Sequence, residues 1–187
     1  MNSIKLIKSD LYRYEGKVDM KTFFKHLLLN PGFKYTFCMR LCKSLSINKL
    51  FKYTLFIFPR LMLERYIYRF GISISYRTAI GKGFYIGHFS GIIVTPEAII
   101  GDNCNISQGV TIGYSNRGKH KGYPVIGDKV YIGPGAKIIG NVKIGNNVAI
   151  GANCVVVDDI SDNSVVVGIP GKVISQKGTE GYINHTY

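Results

Sequence analysis

A period of six residues runs through the second half of this chain and limits what it can fold into. Ile126, Ile132, Ile138, Ile144, Ile150 and Val156 fall six apart without a gap. Four of the first five are followed by glycine (Gly127, Gly133, Gly145, Gly151). Four residues after each of the five stands Val130, Ala136, Val142, Val148 or Cys154. Ile74, Ile80 and Ile86 share the period upstream, and Val94, Ile100, Ile106 and Ile112 resume it after a shift of two. A helix would repeat near 3.6 and a half-buried strand at 2, so each unit reads as one short strand plus a corner. Three units, about 18 residues, complete a coil, and stacked coils make a prism with the aliphatic residues on its axis. Glycine after the aliphatic residue suits a corner whose backbone angles penalise a Cβ. The small residue four positions on fits a cramped interior, so Cys104 and Cys154 read as core fillers.

Between Ile112 and Ile126 the spacing is 14, and the intervening stretch is polar and glycine-rich. It reads as a loop, residues 113–125, extruded from a corner of the prism, where ligand contacts tend to sit. Asp158 to Asn163 reads as a turn, Gly168-Ile-Pro-Gly-Lys172 closes the last coil, and residues 175–187 form a polar, mobile tail. The prism thus occupies 72–174.

Residues 1–71 are a basic helical region holding 14 Lys+Arg against 4 Asp+Glu, most of the chain's net charge of +13. Phe23, Phe24, Leu27 and Leu28 make one helical face that ends at Pro31-Gly32. Further helical stretches cover about 35–45 and 47–68, the last interrupted by Pro59. The apolar run Phe51 to Phe70 is broken by Lys52, Arg60, Glu64, Arg65 and Arg69, and so falls short of the ~20 uncharged residues of a spanning helix. A basic, apolar helix can lie on a membrane surface; burial in a subunit interface explains the pattern equally well. No nucleic-acid-binding motif accompanies the charge, so nucleic acid is not an expected partner. Four cysteines without a CxxC pair, and no signal peptide, point to the cytoplasm.

Of four histidines, only His88 lies within the coils. A free imidazole titrates near ~6.5, which makes His88 the residue best suited to accept a proton at neutral pH. One histidine cannot supply a three-histidine cluster, so no metal is expected.

The segments His88-Phe-Ser-Gly-Ile-Ile-Val94, Ile99-Ile-Gly-Asp-Asn-Cys-Asn-Ile-Ser-Gln-Gly-Val-Thr-Ile-Gly113 and Ile132-Gly-Pro-Gly-Ala-Lys-Ile-Ile-Gly-Asn141 resemble the serine acetyltransferase branch of the hexapeptide acyltransferases. The resemblance implies a left-handed parallel β-helix, a homotrimer with shared active sites, and acetyl-CoA as donor. It implies His88 as the base that deprotonates an acceptor hydroxyl, Gly113 as a backbone oxyanion donor, Pro134 and Ala152 along the CoA arm, and Lys172 at its phosphates.

Three positions depart from the family pattern. The family's aspartate fifteen residues before the histidine, which orients the imidazole, is Ser73; its aspartate immediately before the histidine, which holds the serine substrate, is Gly87; and its Arg-His pair ahead of Pro124 is Gly122-Tyr123. Desolvating the ammonium and carboxylate of a free amino acid without charged partners is costly. The expectation from sequence is therefore a glycan or glycan-precursor acceptor in bacterial surface polysaccharide assembly, met by Tyr114 and Tyr123, with the enzyme in the cytoplasm or at the inner membrane face. The alternatives are a serine O-acetyltransferase of cysteine biosynthesis and, from another class, a non-catalytic β-helical scaffold.

Overall fold

The computed structural model describes residues 3–47 and 53–187. Among them, four helices precede the prism: α1 (Ser3–Glu15), α2 (Met20–Leu29), α3 (Pro31–Ile47) and α4 (Ile57–Phe70). Asp19 caps α2 by accepting the Thr22 N–H at 2.8 Å. Pro31 does not separate two helices at a distance. It opens α3, where its missing N–H costs nothing. Pro59 sits in the first turn of α4 for the same reason and does not interrupt it. The expected helical stretch from residue 47 begins partly in 48–52, outside the described residues. No described helix is long and apolar enough to cross a membrane.

The prism has three faces. The first stacks β1 (Ile72–Ile74), β4 (Ile92–Val94), β7 (Thr111–Gly113), β10 (Lys137–Ile139) and β13 (Val155–Val156). The second stacks β2 (Ala79–Ile80), β5 (Ile99–Ile100), β8 (Val125–Ile126) and β11 (Lys143–Ile144). The third stacks β3 (Tyr85–Ile86), β6 (Asn105–Ile106), β9 (Tyr131–Ile132), β12 (Ala149–Ile150) and β14 (Val165–Val167). Neighbours pair parallel and in equivalent register, so Ile86, Ile106, Ile132, Ile150 and Val166 lie one above another. All five are buried, as are the small residues Val130, Ala136, Val142, Val148 and Cys154. The final strand β15 (Lys172–Ser175) turns back antiparallel on β14 and ends the stack.

The glycines after the aliphatic residues do not have left-handed backbones. A Cβ on Gly81 would strike the Asp102 carboxylate and the Gly101 backbone, and one on Gly127 would strike Asn146 and Gly145. Close approach between coils is what requires them. The left-handed backbone falls two residues later, at Gly83, Asn103, Lys129, Asn147 and Asn163 on one corner and at Gly91, Gly109, Gly135 and Asn153 on the next.

An open first coil would present unpaired backbone groups, and the helices satisfy them. The Tyr35 hydroxyl donates to the Ile74 carbonyl at 2.8 Å and accepts the Ile74 N–H at 2.9 Å. Arg40 donates to the carbonyls of Ile80 and Gly81. Ser9 and Asp10 accept the N–H groups of Gly83 and Phe84, and Arg13 donates to the Gly83 carbonyl. The tail, expected to be mobile, folds back over the third face. Tyr182 stacks on Tyr131 with centroids 4.6 Å apart, and Asn103 accepts the Tyr187 N–H at 2.8 Å.

Candidate functional site

The register of the third face carries round the corner into the first. Because Ile86, Ile106, Ile132 and Ile150 align, His88, Gln108, Pro134 and Ala152 form a column on that corner, about 4.8 Å per coil. His88, Pro134 and Ala152, singled out from distant parts of the sequence, thus lie along one edge. Pro134 and Ala152 also line a groove of ≈ 320 Å³ with Tyr131, Val167, Ile174 and Tyr182. Lys172 is exposed on β15 opposite Val167, at the upper end of the same edge.

His88 is exposed, and among the described residues its ring has no hydrogen-bond partner. Its corner is fixed by its neighbours. Phe89 packs edge-on against Phe70 at the end of α4, with centroids 5.7 Å apart. Ser90 has a φ of 96°, rarely populated without glycine, and its carbonyl accepts the Gly109 N–H at 2.8 Å. Ser73 points outward from β1, and among the described residues its hydroxyl makes no hydrogen bond. Asp102 is spent on the Lys82 N–H and Glu97 on the Thr95 hydroxyl.

Gly113, Tyr114 and Tyr123 belong to the next corner, between the first and second faces. A three-residue strand at ~3.3 Å per residue, about 10 Å, separates the two corners. The loop is a small hairpin. Ser115 and Gly122 exchange backbone hydrogen bonds of 3.1 and 2.9 Å, and Tyr114 and Tyr123 pack face to face at a tilt, 4.7 Å between centroids. The loop is tied down where the His120 carbonyl accepts the Asn141 N–H at 2.8 Å and the His120 ring lies 3.3 Å from the Asp158 carboxylate. The register Gly113 to Ile139 places the Gly113 N–H in the β7–β10 ladder, whose next bond runs from Gly140 N–H to the Gly113 carbonyl at 3.0 Å. An oxyanion donor at Gly113 would have to leave that ladder.

Two polar side chains on the His88 corner were missed in the sequence. Gln108 stands one coil above the histidine, and among the described residues its buried Oε1 has no hydrogen-bond partner. Lys137, on the outer side of β10, donates its ammonium to the Gly109 carbonyl. The shift of two residues between the first coils gives the signal for Gln108, twenty residues after His88.

A family model, bacterial transferase hexapeptide (six repeats), matches residues 123–158. The serine acetyltransferase of Synechococcus elongatus is 38% identical over 152 residues, 81% of this chain and 60% of that protein. The crystal structure of Neisseria gonorrhoeae serine acetyltransferase in complex with serine superposes with a TM-score of 0.74 at 32% identity, covering 92% of this chain and 69% of that one. The chain belongs to the serine acetyltransferase family of hexapeptide-repeat acyltransferases. Its prism is the left-handed parallel β-helix of that family, preceded by helices. A further member, from Brucella abortus, was solved with coenzyme A (28% identity, TM-score 0.74, covering 92% of this chain and 68% of that one). The chain spans about three fifths of the length of the curated relatives it matches. These relatives overturn the glycan acceptor and the polysaccharide pathway expected from the sequence, because the matched proteins are serine acetyltransferases and one of them holds serine. Tyr114 and Tyr123, expected to meet that glycan, lie at the next corner, about 10 Å along the first face from the His88 column.

Proposed function

We propose that this chain transfers the acetyl group of acetyl-CoA to the hydroxyl of L-serine. His88 accepts the hydroxyl proton as the serine oxygen attacks the thioester carbonyl. The C–S bond then breaks, and the imidazolium returns its proton to the departing CoA sulfur, giving O-acetylserine and CoA. A serine hydroxyl is a poor nucleophile and a thioester an activated acyl donor, so a positioned base is what the reaction needs, contributing about 10²- to 10⁴-fold.

The observation that carries this reading is the single edge on which His88, Pro134 and Ala152 lie below Lys172. Three coils at ~4.8 Å separate His88 from Ala152, about 14 Å, a span suited to an extended pantetheine arm. The groove beside Pro134 and Ala152 presents apolar walls to that arm, and the Lys172 ammonium can meet phosphate at its far end. Lys137, whose ammonium already reaches this corner, is the cation we assign to the serine carboxylate. The four cysteines are buried and unpaired, which fits a reducing compartment.

Thiol release from acetyl-CoA by the purified protein, with and without L-serine, tests the proposal. Serine-dependent release that falls ~10²-fold or more in His88→Ala is the expected result. The same rate with and without serine, or an unaffected variant, refutes it.

A further inference from the structure

A histidine base works in one tautomer: the nitrogen facing the hydroxyl is bare, and the other donates its proton to a fixed acceptor. Neither Ser73 nor the nearest acidic side chains downstream fills that place. Ser73 faces outward on β1, Asp102 holds the Lys82 N–H, and Glu97 holds the Thr95 hydroxyl. Along the column itself Pro134 and Ala152 have no side-chain acceptor, and Gly87 has no side chain.

Gln108 does have one. Among the described residues, three buried side-chain polar atoms lack a hydrogen bond: Thr78 Oγ1, His120 Nε2 and Gln108 Oε1. The first two belong to the corner that carries the loop, and the His120 ring lies near Asp158. Only Gln108 Oε1 is on the His88 corner, one coil away. Burying a carbonyl oxygen without a donor is unfavourable, and such an atom calls for a partner. His88, exposed and unbonded, is the ring placed to supply one.

We infer that Gln108 is the positioning residue for His88, its side-chain carbonyl accepting the ring N–H across one coil so that the other ring nitrogen is left bare toward the acceptor hydroxyl. A coil spacing of ~4.8 Å exceeds a hydrogen bond, but rotation of the exposed imidazole and of the flexible glutamine side chain closes it, as catalytic hydrogen bonds tighten when substrate binds. The glutamine backbone is held meanwhile, because its carbonyl accepts the Gly135 N–H at 2.8 Å and Gly109 is bonded to Ser90. The inference deepens the proposed transfer, since it says how the base is prepared, and rests on that reading for its catalytic meaning.

The test is tautomer-resolved long-range ¹H–¹⁵N NMR on the full chain labelled at histidine, with the His88 signals assigned by their loss in His88→Ala. The wild-type protein should hold one tautomer, Gln108→Leu should give a mixture, and Gln108→Glu should restore the single form. In turnover with L-serine, Gln108→Leu should lower kcat tenfold or more, within the ~10²- to 10⁴-fold a positioned base supplies, with KM for acetyl-CoA changed less than about twofold. Gln108→Glu should move the acid limb of the kcat/KM profile to higher pH, because a carboxylate favours the imidazolium. A glutamine that only packs the corner would leave tautomer and pH profile unmoved. An identical tautomer in wild type and Gln108→Leu overturns the inference whether or not serine is acetylated. A tautomer lost in that variant, with no serine-dependent thiol release from wild type, upholds it and overturns the proposed function instead.

Discussion

Replacing Arg40 with methionine should destabilise the protein by about 3–5 kcal/mol, the cost of breaking a buried ion pair on one side. Arg40 and Asp10 have side chains only 1% exposed. Arg40 donates Nε to Asp10 Oδ2 at 2.9 Å and Nη2 to Oδ1 at 3.2 Å, and its remaining donors reach the Ile80 and Gly81 carbonyls at 2.8 and 2.5 Å. Asp10 Oδ1 also accepts the Phe84 N–H at 2.9 Å. Methionine fills most of the volume but leaves the Asp10 carboxyl with only the Phe84 N–H and the Ile80 and Gly81 carbonyls without their guanidinium donors. Burial already pushes the Asp10 carboxyl above its ordinary range, opposed by the adjacent guanidinium, and the variant removes the opposition. At roughly 2–4 °C per kcal/mol for a chain of this size, the melting temperature should fall by about 6–20 °C. Adding Asp10→Asn removes the stranded charge and keeps an acceptor for Phe84, so the double variant should be ~0.5–3 kcal/mol more stable than the sum of the singles predicts. Urea unfolding of the four proteins measures both quantities. Because the pair joins α1 and α3 to the first coil, amide exchange at Phe84 and Tyr85 should accelerate most. An Arg40→Met cost under ~1 kcal/mol, or strict additivity, would refute the view that this pair caps the coil.

Further outcomes follow from single features. Tyr35→Phe strips both partners from the Ile74 peptide groups and should cost ~1–3 kcal/mol in urea unfolding. Lys129 is exposed with a φ of 52°, in a column otherwise of Gly and Asn, so Lys129→Gly should raise stability by ~0.5–1 kcal/mol, read as a higher melting temperature. Burial pushes the Cys104 thiol from 9.0 up to about 12, so it should resist a thiol reagent at pH 8 until the protein unfolds. The same shift makes the folded state hold its proton where the unfolded state releases it, so this contribution to stability should fall as pH rises from about 9 to about 12, measured by unfolding across that range.

The prism was legible because its period is local: each Ile-Gly step repeats the same strand and corner, and equivalent residues must stack. The reason for the glycines was not legible, since the Gly81 and Gly127 contacts lie between coils and depend on register rather than on the local chain. Counting charge misjudged the helices in the same way. Arg13 and Arg40 add to the basic total of residues 1–71, yet both are buried against the first coil, and what read as a basic field is in part the internal cap of the prism. His88, Pro134 and Ala152 were found through the family pattern and fall together through coil register. That register also brings Gln108 to the same corner, although a glutamine inside a repeat carries no signal until its neighbours on the adjoining coils are known. The glycan expectation rested on the absence of charge at single aligned positions, Gly87 and Gly122-Tyr123. A coil is only ~4.8 Å thick, so a side chain from the next strand can serve the same corner, as the Lys137 ammonium does when it reaches back to Gly109. Loss of charge at an aligned position in a stacked fold therefore argues against a ligand only after the adjoining coils have been searched for its replacement.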